Sequence, residues 1–197
     1  LRVRPPRFDR CLLDGAEVSE VLEVRSSDQG PEIRVRVEQM LLKRCGTARD
    51  IKLLLDELIT NAIYHGARSA DGSRVYTPFV RVTLAPEHRV TVRWGLDTEK
   101  YGIRVADNAG TLRAREVVTH IARRGGAGAA HQRGRGLYMA QTLADRMWVN
   151  ITPNERTELI LMNYFDPELR GHKPLFVNEF RVSGAAPAVN RHTRSGG

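Results

Sequence analysis

The chain has 197 residues with a 41% hydrophobic and 27% charged share, the profile of one medium globular domain with extensions. Folding at this size buries roughly 70% of the extended-chain surface, and two cysteines, Cys11 and Cys45, without any C-x-x-C pair or Cys/His cluster, exclude a disulfide framework or a zinc module. A net charge of +8 and a pI near 10.1 suit anionic partners, but the arginines are spread along the chain and aromatics are only 6%, which argues against a stacking platform for single strands. No apolar run could span a bilayer and no signal peptide is present, so a reducing, cytoplasmic setting without membrane contact is expected. The first residue is Leu1 rather than Met, which predicts an excised piece of something longer.

Residues 1–16 are arginine-rich around Pro5-Pro6 and read as an extended lead-in. Glu17 to Arg25 has the β-branched, alternating character of a strand. After a turn at Ser26 to Gly30, Glu32 to Cys45 carries Ile33, Val37, Met40 and Leu41 on one helical face, although its IRVRV start also fits a strand. The stretch Gly46 to Gly66, GTARDIKLLLDELITNAIYHG, is the strongest helix. Thr47 and Asp50 stand in the T-x-x-D relation of a helix start, and Gly66 suits a left-handed stop. Ile51, Leu54, Leu55, Leu58, Ile59, Ala62 and Ile63 make its apolar face.

The period then changes from helical to two. Phe79 to Leu84 and Arg89 to Trp94 alternate around an Ala85 to His88 break and predict a hairpin. Tyr101 to Ala106 predicts a third strand, Thr111 onward a helix, and Gly136 to Asp145 a short helix with Leu137 and Ala140 at core spacing. Met147 to Ile151 and Thr157 to Tyr164 predict two closing strands joined at Pro153-Asn154. From Pro167 the chain turns polar, with one further strand expected at Leu175 to Phe180 and no order expected from Ser183 on. These elements predict a two-layer α/β sandwich: a mixed, mostly antiparallel sheet with helices on one face. The expected division is a lead-in over 1–16, a domain over 17–166 and an irregular extension over 167–197.

Four features carry chemistry. Glu57 and Asn61 lie four apart on the strong helix, one turn above each other, so a carboxylate and a carboxamide can face one ligand. Asp107 ends a strand in VADNAG, where an acid before a tight turn can accept from a ligand amine. The loop GGAGAAHQRGRG, 125–136, leads into a helix, so its amides and the helix dipole can cradle an anion. Arg123, Arg124, Arg133 and Arg135 add positive charge there, although no P-loop or dinucleotide fingerprint is present. Thr157 opens the last long strand in RTELIL. Each feature alone also has an ordinary reading: a solvated flank, an Asx turn, a surface loop, a plain strand residue.

Taken in this order, DELITNAIYHG, DNAG, GRGLYMAQTLADRM and the T-E strand resemble the GHKL ATPase superfamily, over roughly Arg49 to Phe165. That superfamily includes gyrase, chaperone, histidine kinase and mismatch-repair ATPases and has the Bergerat fold. The nearest resemblance is to bacterial anti-sigma-factor serine/threonine kinases. The resemblance implies ATP and Mg²⁺ as cofactors. It makes Asn61 the metal ligand and Glu57 the catalytic base on the attacking hydroxyl. Asp107 would accept from the adenine amine with Thr157 in support, and Gly110 would shape the base pocket. Gly134, Arg135, Gly136 and Leu137 would contact the phosphates, and Leu112 to Arg133 would form a lid. The implied partner is a regulatory protein of the anti-anti-sigma or sigma type, with a homodimer compatible. One departure is Ala109, where the family's D-x-G-x-G has a glycine; its methyl group is expected to tighten the pocket or to weaken ATP binding. Other classes consistent with the residues are the ATP-binding half of a histidine kinase and a catalytically silent nucleotide-responsive module. A nucleic-acid ATPase has only the charge in its favour.

Overall fold

The computed structural model describes residues 6–46, 50–78, 80–122 and 135–180. Seven strands form one sheet: β1 (Glu17–Val18), β2 (Leu22–Val24), β3 (Val90–Leu96), β4 (Lys100–Asp107), β5 (Arg146–Thr152), β6 (Arg156–Tyr164) and β7 (Leu175–Glu179). Their order is β1-β3-β4-β6-β5-β7, with β2 also paired to β3. Every pairing is antiparallel except β5 with β7. Four helices are described, α1 (Gln29–Cys45), α2 (Ile51–Gly66), α3 (Ala114–Ala122) and α4 (Arg135–Leu143). The expected mixed, mostly antiparallel α/β sandwich is the fold observed.

The main core lies between helices and sheet. Ile33, Val37 and Leu41 of α1 are buried against the all-but-apolar α2, whose Leu54, Leu55, Leu58 and Ile63 are almost completely inaccessible. Strands β3 and β4 supply Val92, Ile103 and Val105 from below. Removing such side chains from water at about 25 cal/mol per Å² is the main force holding the layers together. An ion pair, Arg34 to Asp56 at 2.7 Å, ties α1 to α2 at the edge of that core.

The opposite sheet face holds a smaller cluster. Residues 1–16 were expected to be an extended lead-in, yet Phe8–Cys11 forms a turn of 3-10 helix that packs there. Phe8 and Leu12 are buried on Ile160 and Met162. The cross-strand pair Gly95 and Gly102 makes room for them. A β-carbon at 95 would come within 2.8 Å of Leu12 Cδ1, and one at 102 within 3.0 Å of Phe8 Cε2. Arg93 clamps the segment through Asp9 at 2.7 Å, and Leu13 N–H donates to Asp97 Oδ2 at 2.8 Å.

Three local expectations change. The hairpin expected over 79–94 keeps only its second strand. Of 79–84, Thr83 makes a single bridge to Ser26, and Val82 and Leu84 bond across to Ser27 and Arg25; Phe79 lies outside the described residues. The period of two there reflects Val82 and Leu84 leaning on the core, not a ladder. Helix α2 starts at Ile51, with Asp50 before it in a left-handed conformation (φ 56°) and making no side-chain cap; Thr47 is outside the described residues. Its end also differs, because helical backbone runs through Gly66 and the break comes at Ala67, which is extended. The single strand expected over 17–25 is split into β1 and β2, with Ser19 between them bonding Trp94.

Candidate active site

A cavity of about 560 Å³ opens between the C-terminal half of α2, the end of β4, the start of β6 and α3. Asn61, Asp107, Leu137 and Thr157 line it together. The topology explains this convergence. Asp107 and Thr157 are fifty residues apart in sequence but are Cα partners in the β4–β6 ladder. Asn61 and Gly66 sit on the same helix, about 1.5 Å of axial rise per residue apart, so α2 runs along the cavity from one functional group to the next.

Asp107 is buried, with 8% of its surface exposed. Burial pushes its carboxyl above the ordinary carboxylate range, and hydrogen bonds from Ala109, Gly110 and Thr157 pull part of the way back. The amides of Ala109 and Gly110 donate to Oδ1 at 2.9 and 3.1 Å, and Thr157 donates through both backbone and side chain. A carboxylate fixed this firmly in an apolar wall presents a directional acceptor to a ligand N–H.

Glu57 and Asn61 meet the start of α4. A β-carbon on Gly136 would fall 2.6 Å from Asn61 Nδ2 and closer still to Glu57 Oε2. A side chain at 136 would have to displace the ends of both. The Nδ2 of Asn61 is buried without a hydrogen-bond partner among the described residues. An unsatisfied buried amide costs about 1–3 kcal/mol, a cost that a bound polar ligand removes. No group of three or more His, Cys, Asp or Glu side chains is placed to hold a metal among the described residues. A hard divalent cation here would therefore depend on oxygens of its ligand together with Asn61, the usual manner of Mg²⁺ on phosphates. Of that side chain only Oδ1 could ligate such a cation, while the unpartnered Nδ2, an N–H donor, suits an oxygen of the ligand.

The remaining expected residues separate. Gly110 does not line the cavity: with φ at +58° it packs on the β5–β6 turn, where a β-carbon would meet the amides of Arg156 and Glu155 at 2.6 and 2.7 Å. Ala109 borders a hollow of about 10 Å³ behind Asp107 and not the main cavity, so its methyl group does not narrow it. Arg135 begins α4. Gly134 and 123–133 of the expected lid lie outside the described residues, whereas Leu112 is in the cavity wall.

Other wall residues are His65, Arg68, Thr111, Glu116, His120 and Leu159. Thr111 Oγ1 donates to the carbonyls of Gly66 at 2.8 Å and His65 at 3.3 Å, joining the end of α2 to the lead into α3. Some signals for these were present in the sequence. His65 is four beyond Asn61, Leu159 is two beyond Thr157, and Glu116 and His120 form an i, i+4 pair. Nothing in the sequence points to Arg68, which comes from the loop after α2.

A protein-family model described as "Histidine kinase-like ATPase domain" matches residues 16–162, about three quarters of the chain. No curated protein matches the chain. Among the described residues no helix is long and apolar enough to cross a membrane.

Proposed function

Because the chain belongs to the histidine kinase-like ATPase family, whose members bind ATP, we propose that it is an ATP-dependent regulatory protein kinase of the anti-sigma-factor type. The acceptor is a serine or threonine hydroxyl of an anti-anti-sigma-like partner protein. The observation that carries this reading is the junction of Glu57, Asn61 and Gly136, with Asn61 Nδ2 buried and without a hydrogen-bond partner among the described residues. A general base beside a metal-ligand position is what phosphoryl transfer to a hydroxyl requires.

In this reading Asp107 accepts from the adenine amine, held in place by Thr157. Asn61 holds Mg²⁺, which supplies charge neutralisation on the phosphates. Glu57 takes the proton of the incoming hydroxyl as its oxygen bonds to phosphorus, and ADP leaves with the electron pair of the broken bond. Gly136, and Gly134, Arg135 and Leu137 around it, serve the phosphate end. The setting is cytoplasmic.

Calorimetry with ATP, ADP and GTP, each with and without Mg²⁺, tests the binding part. Mg²⁺-dependent, adenine-selective binding is expected; equal affinity for ATP and GTP would remove Asp107 from the base site. Labelled ATP with candidate anti-anti-sigma-like proteins tests transfer. Tight ATP binding with no labelled acceptor would instead favour a silent nucleotide-responsive module.

A further inference from the structure

Strand β7 lies beyond the family match, which stops at residue 162, yet it is built into the cavity's support. It runs parallel to β5 from Met147↔Leu175 to Ile151↔Glu179, and Phe180 N–H closes the pairing on the Ile151 carbonyl at 2.7 Å. At that end the carboxylate of Glu179 accepts from the backbone N–H of Ala114 at 2.9 Å. Ala114 is the first residue of α3, whose opening amides have no partner within the helix. A second carboxylate, Glu116, accepts from Arg113 N–H at 3.0 Å. Negative charge at this end also suits the helix dipole. Leu175 and Val177 pack on the same core as Leu112, Ala114 and Ile121. Helix α3 in turn lends Glu116 and His120 to the cavity wall.

We infer that Glu179 is a positioning residue for the nucleotide cavity: its carboxylate on Ala114 N–H fixes where α3 starts, and so where the α3 wall stands. This rests on reading the cavity as a nucleotide site. It makes a segment outside the family match a determinant of ATP affinity, although none of its described residues lines the cavity. The Glu179 side chain is exposed, so its contact bears on α3 more than on global stability.

The test compares wild type with Glu179→Ala, Glu179→Gln and Asn178→Ala. Asn178 sits on the same strand but bonds Asn150, at 2.9 Å, and not α3. Backbone amide exchange over 114–122 is measured without nucleotide, and ATP affinity by calorimetry. Glu179→Ala should speed exchange in α3 by about 3- to 10-fold and weaken ATP by about 2- to 5-fold. Glu179→Gln keeps an acceptor oxygen and should recover most of both. Asn178→Ala should leave α3 exchange within about twofold of wild type. Unchanged α3 exchange in Glu179→Ala overturns the inference, as does an equal effect from Asn178→Ala. Faster exchange with unaltered ATP affinity overturns it too, since α3 would then be held without serving the site. A wild-type protein that binds no ATP defeats the nucleotide reading itself. Wild-type ATP binding with a rigid α3 in Glu179→Ala defeats only the role of Glu179.

Discussion

Gly66 lies so close to Asp107 that a β-carbon on residue 66 would stand 3.3 Å from both Cβ and Cγ of the aspartate. The last turn of α2 is thus the backstop of the acceptor carboxylate. Gly66→Ala should act with opposite signs on two measurements. An alanine in helical backbone gains up to about 1 kcal/mol over glycine, so the thermal midpoint should hold or rise. The carboxylate must shift by a few tenths of an ångström, which should weaken ATP by about 3- to 10-fold. Parallel loss of stability and affinity would mean that Gly66 is needed by the fold and not by the site.

Asp107 itself should show the conflict between stability and binding. Its folded-state pKa is raised from 3.8 by burial, so the native protein holds this proton more tightly than the unfolded chain. The charged carboxylate therefore costs stability, a cost absent below about pH 3.8 that grows as pH rises through the raised folded value. Asp107→Asn should be more stable than wild type by a margin that widens from pH 4 to pH 7 in denaturant titrations. ATP affinity should meanwhile drop about 10- to 100-fold, the loss of a charge-assisted hydrogen bond. A margin that narrows with rising pH would contradict the assignment.

Glu57 and Asn61 touch the same backbone but should fail differently. Glu57→Ala should bind Mg-ATP nearly as wild type and transfer phosphate about 10²–10⁴-fold more slowly, as for loss of a general base. Asn61→Ala should bind ATP with an affinity no longer dependent on Mg²⁺. Gly136→Ala pushes a methyl group between both side chains and should combine the two defects. Wild-type turnover in Glu57→Ala would rule out its role as base.

At Gly110 the expected loss is structural. Its φ of +58° and its contacts with the amides of Arg156 and Glu155 leave no room for a side chain. Gly110→Ala should cost about 2–4 kcal/mol, read as a lower denaturation midpoint with or without ATP. A stable variant with poor ATP binding would return Gly110 to the base pocket.

Much of the fold was legible because its long elements repeat a single period. The alternation in β3 and the apolar stripe of α2 mark elements whose burial follows their own geometry, whereas β4 and β6, buried on both faces, read as strands from their apolar runs. Segment 79–84 misled because two side chains packed on the core, the partly buried Val82 and the buried Leu84, produce the same alternation as a paired strand. Whether a ladder forms depends on the partner, and 25–27 offers only one bridge. At Asp50 the capping signal yields no side-chain cap for a related reason: α2 is held by the burial of Ile51 and Leu54. In the site, Glu57 and Asn61 were readable from one helix. That Asp107 faces Thr157 depends on the β4–β6 register, and that Arg68 and His120 share a wall depends on packing between elements with no common period.

The trough over Gly95 and Gly102 also dictates an order of events. Phe8 and Leu12 precede every strand of the sheet in the chain, but their seat includes Ile160 and Met162 and exists only once β3, β4 and β6 have paired. The bond from Leu13 N–H to Asp97 spans 84 residues, so closing it early would cost loop entropy with nothing yet to dock against. The segment around Phe8 thus precedes the strands of its seat in the chain and docks after they have paired. Phe8→Ala should leave the refolding rate within about twofold of wild type and place nearly all of its cost, about 3–5 kcal/mol, in faster unfolding. Slower refolding of that variant would place the segment in the folding nucleus instead.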